Sequence, residues 1–201
     1  MHSEYKGLRG FHGCRPRDVE SYYRYGIQPA NHRELDTQAR QIFLTDEFPE
    51  VSAETIDNAI VRIGSSDEHR VHAILDDRVL LNRAGHYLIY GSERVCAIAA
   101  RLGPGELPDY RQALKRYGRP TVFEVAIPWE VPTEGELQHL FEYISRELAF
   151  VRRGESVSEL DFTVTLYQPI SPGQILSHYH PEVVIDPLLG MTEYRWSNAA
   201  N

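Results

Sequence analysis

The chain has 201 residues, 29 Asp+Glu against 21 Lys+Arg, 42% apolar and 25% charged residues, two cysteines and a net charge of −8. That is the make-up of one globular domain with room for a sizeable core. It excludes a small disulfide scaffold and, because no Lys/Arg cluster appears, a broad nucleic-acid-binding surface. Cys14 and Cys96 lie far apart without a CxxC, and the first residues lack an apolar signal region. No apolar stretch approaches the roughly 20 residues that span a bilayer. A cytosolic, reduced protein without membrane association is expected.

In chain order, a first strand fits Tyr5–Gly13. A helix over about Asp18–Tyr25 follows, with Pro16 and Asp18 at its start and Gly26 as its stop. Residues 34–64 read as a mainly helical insertion, with Ile42, Phe43, Val51, Ile56, Ile60 and Ile63 near helical spacing. Val71–Leu75 and Val79–Ile89 are rich in β-formers, and Asn82-Arg83-Ala84-Gly85 predicts a hairpin turn within the second run. Ser92 is expected to cap a helix over Glu93–Leu102 that Gly103-Pro104-Gly105 ends.

A short helix over Asp109–Tyr117 and an alternating strand over Thr121–Ile127 come next. The longest helix is expected at Glu134–Arg152, where Leu137, Leu140, Phe141, Ile144 and Leu148 form a continuous apolar face. Phe162–Tyr167 reads as a strand, residues 170–175 as a turn, and Val183–Ile185 as a terminal strand before the tail that begins at Ser197. Strands and helices mix without regular βα alternation, which places residues 1–201 in one α+β domain.

Three segments put polar groups beside small residues at predicted strand edges. The first is Phe11-His12-Gly13-Cys14-Arg15, where Gly13 lets a planar group approach the backbone. The second is His86-Tyr87-Leu88-Ile89-Tyr90-Gly91-Ser92 with the Ala-rich helix after it, where a tyrosine ring can stack on a ligand. The third is Ser156-Val157-Ser158-Glu159-Leu160-Asp161 ahead of the strand at Phe162, where alternate carboxylates share one face. Their residues and order resemble the three motifs of the ADP-ribosyltransferase superfamily of the His-Tyr-Glu type. The departures are Cys14, where Ser or Thr is usual, and the choice of acid between Glu159, which is favoured, and Asp161.

The resemblance implies an ADP-ribosyltransferase-like fold, with two small packed β-sheets forming an NAD cleft flanked by helices. It implies NAD as substrate, cleavage of its nicotinamide–ribose bond through an oxocarbenium-like transition state, and transfer of one ADP-ribose. His12 is expected on the adenosine ribose, Gly13 on the nicotinamide carboxamide and Tyr90 against the nicotinamide ring. Glu159 or Asp161 is expected to stabilise the ribosyl cation. Cys14, Arg15, Tyr87 and Ser92 complete the expected cofactor-binding set. Net acidity favours a protein acceptor, with nucleic acid, a small molecule or water as the other choices.

Two other readings come from the same residues. His178, His180 and Glu182 alternate on one strand face, a spacing suited to zinc or iron, but Pro181 interrupts the run, and no metal is expected. A displaced acid would leave a non-catalytic module that binds NAD, ADP-ribose or a protein.

Overall fold

The computed structural model describes residues 6–65, 69–103, 108–156 and 159–196. Tyr5 of the first predicted strand, Pro104-Gly105, Val157-Ser158 and the tail from Ser197 lie outside the described residues. The strands β1 (Gly7–Cys14), β2 (Val71–Ile74), β3 (Thr121–Pro128), β4 (Thr163–Leu166) and β5 (Ile175–Tyr179) form one sheet in the order β4-β2-β1-β3-β5. All its neighbours are antiparallel. A separate hairpin joins β6 (Val183–Asp186) to β7 (Thr192–Arg195). The class is therefore α+β.

Each face of the sheet carries its own core, as alternation along the strands requires. One face sends Phe11, Ile74 and Val122 into a core with the helices α2 (His32–Phe43), α3 (Ala53–Ile63), α4 (Asp77–Asn82), α5 (His86–Ile89), α6 (Glu93–Ala99) and α7 (Arg111–Leu114). The other sends Val71, Ala73, Phe123, Val125, Val164 and Leu166 against Ile27, Ile170 and the aromatic side of α1 (Glu20–Tyr25). The expected insertion is thus helical, and Ile42, Phe43 and Ile56 place it in the first core rather than on the surface.

Local signals account for several boundaries. Asn31 caps α2 and Ser52 caps α3 through side-chain oxygens that accept backbone N–H groups. Gly26 ends α1 with φ 78°, and a Cβ there would lie 2.2 Å from the Ile170 carbonyl oxygen, so only glycine fits. The helix α8 (Glu134–Arg152) has the predicted bounds because Thr133 and Glu136 form a reciprocal capping box. The same Glu136 also accepts the Thr165 amide at 3.0 Å, which satisfies part of the sheet's β4 edge.

The hairpin expected over Val79–Ile89 is instead the helix pair α4 and α5. Short apolar runs are consistent with either state, and the decision came from Asp76, whose carboxylate caps α4, and from burial of the adjacent pairs Val79-Leu80 and Leu88-Ile89 on one side. Tyr90 consequently caps a helical turn and does not end a strand. The turn expected at 170–175 leads directly into β5, and β7 adds a strand where none was expected. On α8 only Leu140 is buried, whereas Phe141, Ile144 and Leu148 are exposed.

Candidate functional site

The strands β1 and β2 are in register at Phe11↔Ile74 alone. Where the ladder would continue, the His12 Nδ1 meets the His72 carbonyl at 2.9 Å. Beside this parting lies a cavity of about 1000 Å³, at the upper end of the range for small-molecule sites. His12, Gly13, Cys14 and Arg15 line it, and so do Tyr87, Tyr90 and Ser92. The first two segments singled out in the sequence therefore meet at one cavity.

His12 lies on the β1 face shared with Leu8 and Cys14, in register with Phe123. Burial holds its imidazole below the ordinary histidine value, against the opposing pull of the His72 carbonyl. A neutral ring at neutral pH follows, with one nitrogen engaged and the other left for a ligand. Gly13 faces the opposite core: a Cβ there would stand 3.1 Å from Leu80 and 3.3 Å from Leu88. The packing of α4 and α5 therefore asks for glycine at this position.

Burial pushes the Cys14 thiol up to about 12, with the Tyr22 hydroxyl as its partner, so it is an inert thiol in the cavity wall. Arg15 is structural. Its Nε donates to the Tyr117 carbonyl at 2.9 Å, Nη1 to Leu88 at 3.0 Å and Nη2 to Lys115 at 2.5 Å, with the Tyr194 hydroxyl 3.4 Å away. The guanidinium expected in the cofactor-binding set thus clamps the carbonyls of Leu88 in α5 and of Lys115 and Tyr117 after α7, satisfying buried acceptors at the ends of these short helices.

Tyr90 is 3% exposed, and its hydroxyl donates to the buried Asp186 carboxylate at 2.5 Å. The Lys115 ammonium stands 5.2 Å from the ring centroid. Burial and Asp186 together raise the Tyr90 phenol, which stays a donor. Tyr87 is half-buried and donates to Glu93 at 2.9 Å. Ser92 occupies the N-cap position of α6, yet its hydroxyl makes no capping bond, and the residue lines the cavity.

The third segment stands apart. Glu159 accepts a bond from Asn82 at 2.6 Å, and Asp161 pairs with Arg83 at 2.9 Å. Neither carboxylate is among the cavity-lining residues, although Leu80 and Ala84, which flank Asn82 in sequence, are. Asp76 fixes the segment by accepting the Leu160 amide at 3.0 Å. The structure thus unites two of the three expected segments and holds the third at the margin.

Sequence reading missed the charge of the cavity. Arg17, Arg62 and Arg101 line it, and none has a carboxylate partner among the described residues. Asp18 and Glu93 are the carboxylates that stand against them. These arginines come from the loop after β1, the end of α3 and the end of α6, so no run in the sequence announced them. Asp186, which anchors Tyr90, was equally hidden, being 96 residues away.

The His178 and His180 rings are held elsewhere, His178 Nδ1 by the Tyr23 hydroxyl at 2.7 Å and His180 Nδ1 near the Pro120 carbonyl at 2.9 Å. Among the described residues no group of three or more His, Cys, Asp or Glu is placed to hold a metal ion. No helix of the described residues is long and apolar enough to cross a membrane. Comparison of the chain with protein-family models, with curated proteins and with solved structures finds no match.

Proposed function

We propose that the cavity binds NAD and that the protein is a mono-ADP-ribosyltransferase on an ADP-ribosyltransferase-like fold. The observation that carries this reading is the meeting of His12–Cys14 with Tyr87–Ser92 at one cavity whose uncompensated charge is cationic, in a chain of net charge −8. Cationic walls raise the local concentration of a dianionic pyrophosphate and strengthen its contacts. The room and the donor set both suit a dinucleotide.

In this reading the free His12 nitrogen binds the adenosine ribose, and the Tyr90 ring, held in orientation by Asp186, meets the nicotinamide. The glycosidic C–N bond breaks with its electron pair leaving on nicotinamide. The acceptor, a protein side chain in first place, attacks the ribosyl carbon and loses its proton. Glu159, or Asp161 in its place, supplies the negative charge that stabilises the cationic transition state. That role requires the 159–161 segment to turn towards the cavity from its contacts with Asn82 and Arg83.

Those contacts favour a second reading, a module that binds NAD or ADP-ribose without turnover, since both acids stand outside the cavity lining. Nicotinamide release from NAD, with and without cell lysate as acceptor pool, separates the two when paired with calorimetric NAD binding. Release that Glu159→Gln lowers by about two orders of magnitude, with NAD affinity unchanged, supports transfer. Binding without release supports the module, and absence of both overturns the assignment of the cavity.

A further inference from the structure

We infer that α2, α3 and α6 form a diphosphate subsite in the helical wall of the cavity, with Arg62, Arg101 and Gln38 as its donors and a nucleoside diphosphate group as its ligand. The pivot of this wall is Arg94, whose side chain is 9% exposed. Its guanidinium donates to the Asp36 carboxylate at 2.6 and 3.0 Å and to the Gly64 carbonyl at 2.7 Å. One α6 side chain thereby pins α2 and the end of α3 to α6.

The two free cations stand beside that pivot. Arg62 lies two residues before Gly64, within a side chain's reach of the Arg94 guanidinium, and both arginines line the cavity. Arg101, just past the end of α6, folds back along the helix, and its Nη1 donates to the Ala97 carbonyl at 2.9 Å. Arg94, Ala97 and Arg101 follow one another at spacings of three and four, so they share one face of α6, which the cavity meets. Ala97 adds only a methyl group there and leaves room for a ligand. The third donor is the amide of Gln38, half-buried in the cavity lining without a hydrogen-bond partner among the described residues.

Charge and donor geometry select the ligand. Arg94 is neutralised by Asp36, whereas Arg62 and Arg101 have no carboxylate partner among the described residues. Glu93, the acid next to Arg94, is engaged by the Tyr87 hydroxyl at 2.9 Å. Two planar guanidinium forks and an amide match the oxygens of two linked phosphates. A net charge of −8 opposes a polyanion, while a cavity of about 1000 Å³ with Tyr87 and Tyr90 in its lining admits a diphosphate that carries a nucleoside. The helical insertion thus acquires a binding role, since its α2 and α3 supply Gln38 and Arg62. For NAD the assignment rests on the proposed function; for ADP it stands on the residues of this wall.

Calorimetry on the full chain with ADP and with NAD tests the subsite. The wild type is expected to bind both, with ADP affinity falling about tenfold between about 50 and 300 mM salt. Arg62→Ala and Arg101→Ala are each expected to weaken both ligands about tenfold, and the double variant about a hundredfold. The melting temperature should stay at the wild-type value, because both side chains are exposed. ADP and NAD binding that is indifferent to salt and to both substitutions overturns the subsite and leaves the dinucleotide assignment standing. ADP held through both arginines without NAD binding supports the subsite and overturns the NAD assignment. Absence of binding by either ligand overturns both.

Discussion

Replacing Tyr90 by phenylalanine separates the two jobs its side chain has been assigned. The substitution keeps the ring and deletes the hydroxyl that donates to Asp186 at 2.5 Å. Asp186 is 1% exposed, and among the described residues it keeps the Leu188 amide at 3.0 Å and the Lys115 ammonium at 3.9 Å. A hydrogen bond to a buried charge is worth about 1.5–3 kcal/mol. At about 2–4 °C per kcal/mol for a chain of this size, about 2 kcal/mol lowers the melting temperature by about 4–8 °C.

NAD affinity should stay within about twofold of wild type, because the stacking face survives. Tyr90→Ala loses the ring as well, which adds a cavity, raises the stability cost to about 3–5 kcal/mol and weakens NAD binding. Urea titration gives the stabilities and calorimetry the affinities. A Tyr90→Phe midpoint within about 0.5 kcal/mol of wild type refutes the Asp186 anchor. Equal NAD affinity in the two variants removes Tyr90 from the site.

Asp76 supplies a pH-dependent prediction. Hydrogen bonding from Arg78 holds its carboxylate down at about 2 against the opposing effect of burial, with the Leu160 amide adding to the same pull. Its folded value is depressed, so its stabilisation is complete above the ordinary aspartate value near 4 and is lost as pH falls through about 2. Denaturation midpoints measured between those pH values should fall in the wild type and be flatter in Asp76→Asn; equal slopes would show that Asp76 contributes nothing. Arg15→Lys should cost about 2–4 kcal/mol in urea titration, because one ammonium does not reach three carbonyls that a planar fork satisfies, each unmet carbonyl costing about 1–3 kcal/mol. A Lys variant as stable as wild type would leave Arg15 available for the ligand role it was first given.

Where local chemistry was complete, the sequence was sufficient. The Thr133–Glu136 capping box, the alternation of Thr121–Ile127 and the glycine after Tyr25 each specify their element through contacts within a few residues, and the structure places α8, β3 and the end of α1 there. Residues 77–90 had no such closure. Their apolar run suits strand or helix, and only docking of Leu80 and Leu88 over Gly13 selects the helices. The polar strand β7 is equally silent alone, since its pairing with β6 supplies its reason to be extended.

The candidate site divides along the same line. Composition, caps and spacing determined the α+β class, most helix positions and the two segments His12–Cys14 and Tyr87–Ser92, because those features depend on neighbours in the chain. Tertiary structure alone decided that the two segments share a cavity, that Arg15 clamps carbonyls, that Glu159 and Asp161 stand at its margin, and that three arginines without a carboxylate partner among the described residues line its wall. It also buried Leu140 of α8 while leaving Phe141, Ile144 and Leu148 exposed. Burial, charge pairing and convergence are properties of residues brought together from distant parts of the chain, and no local pattern carries them.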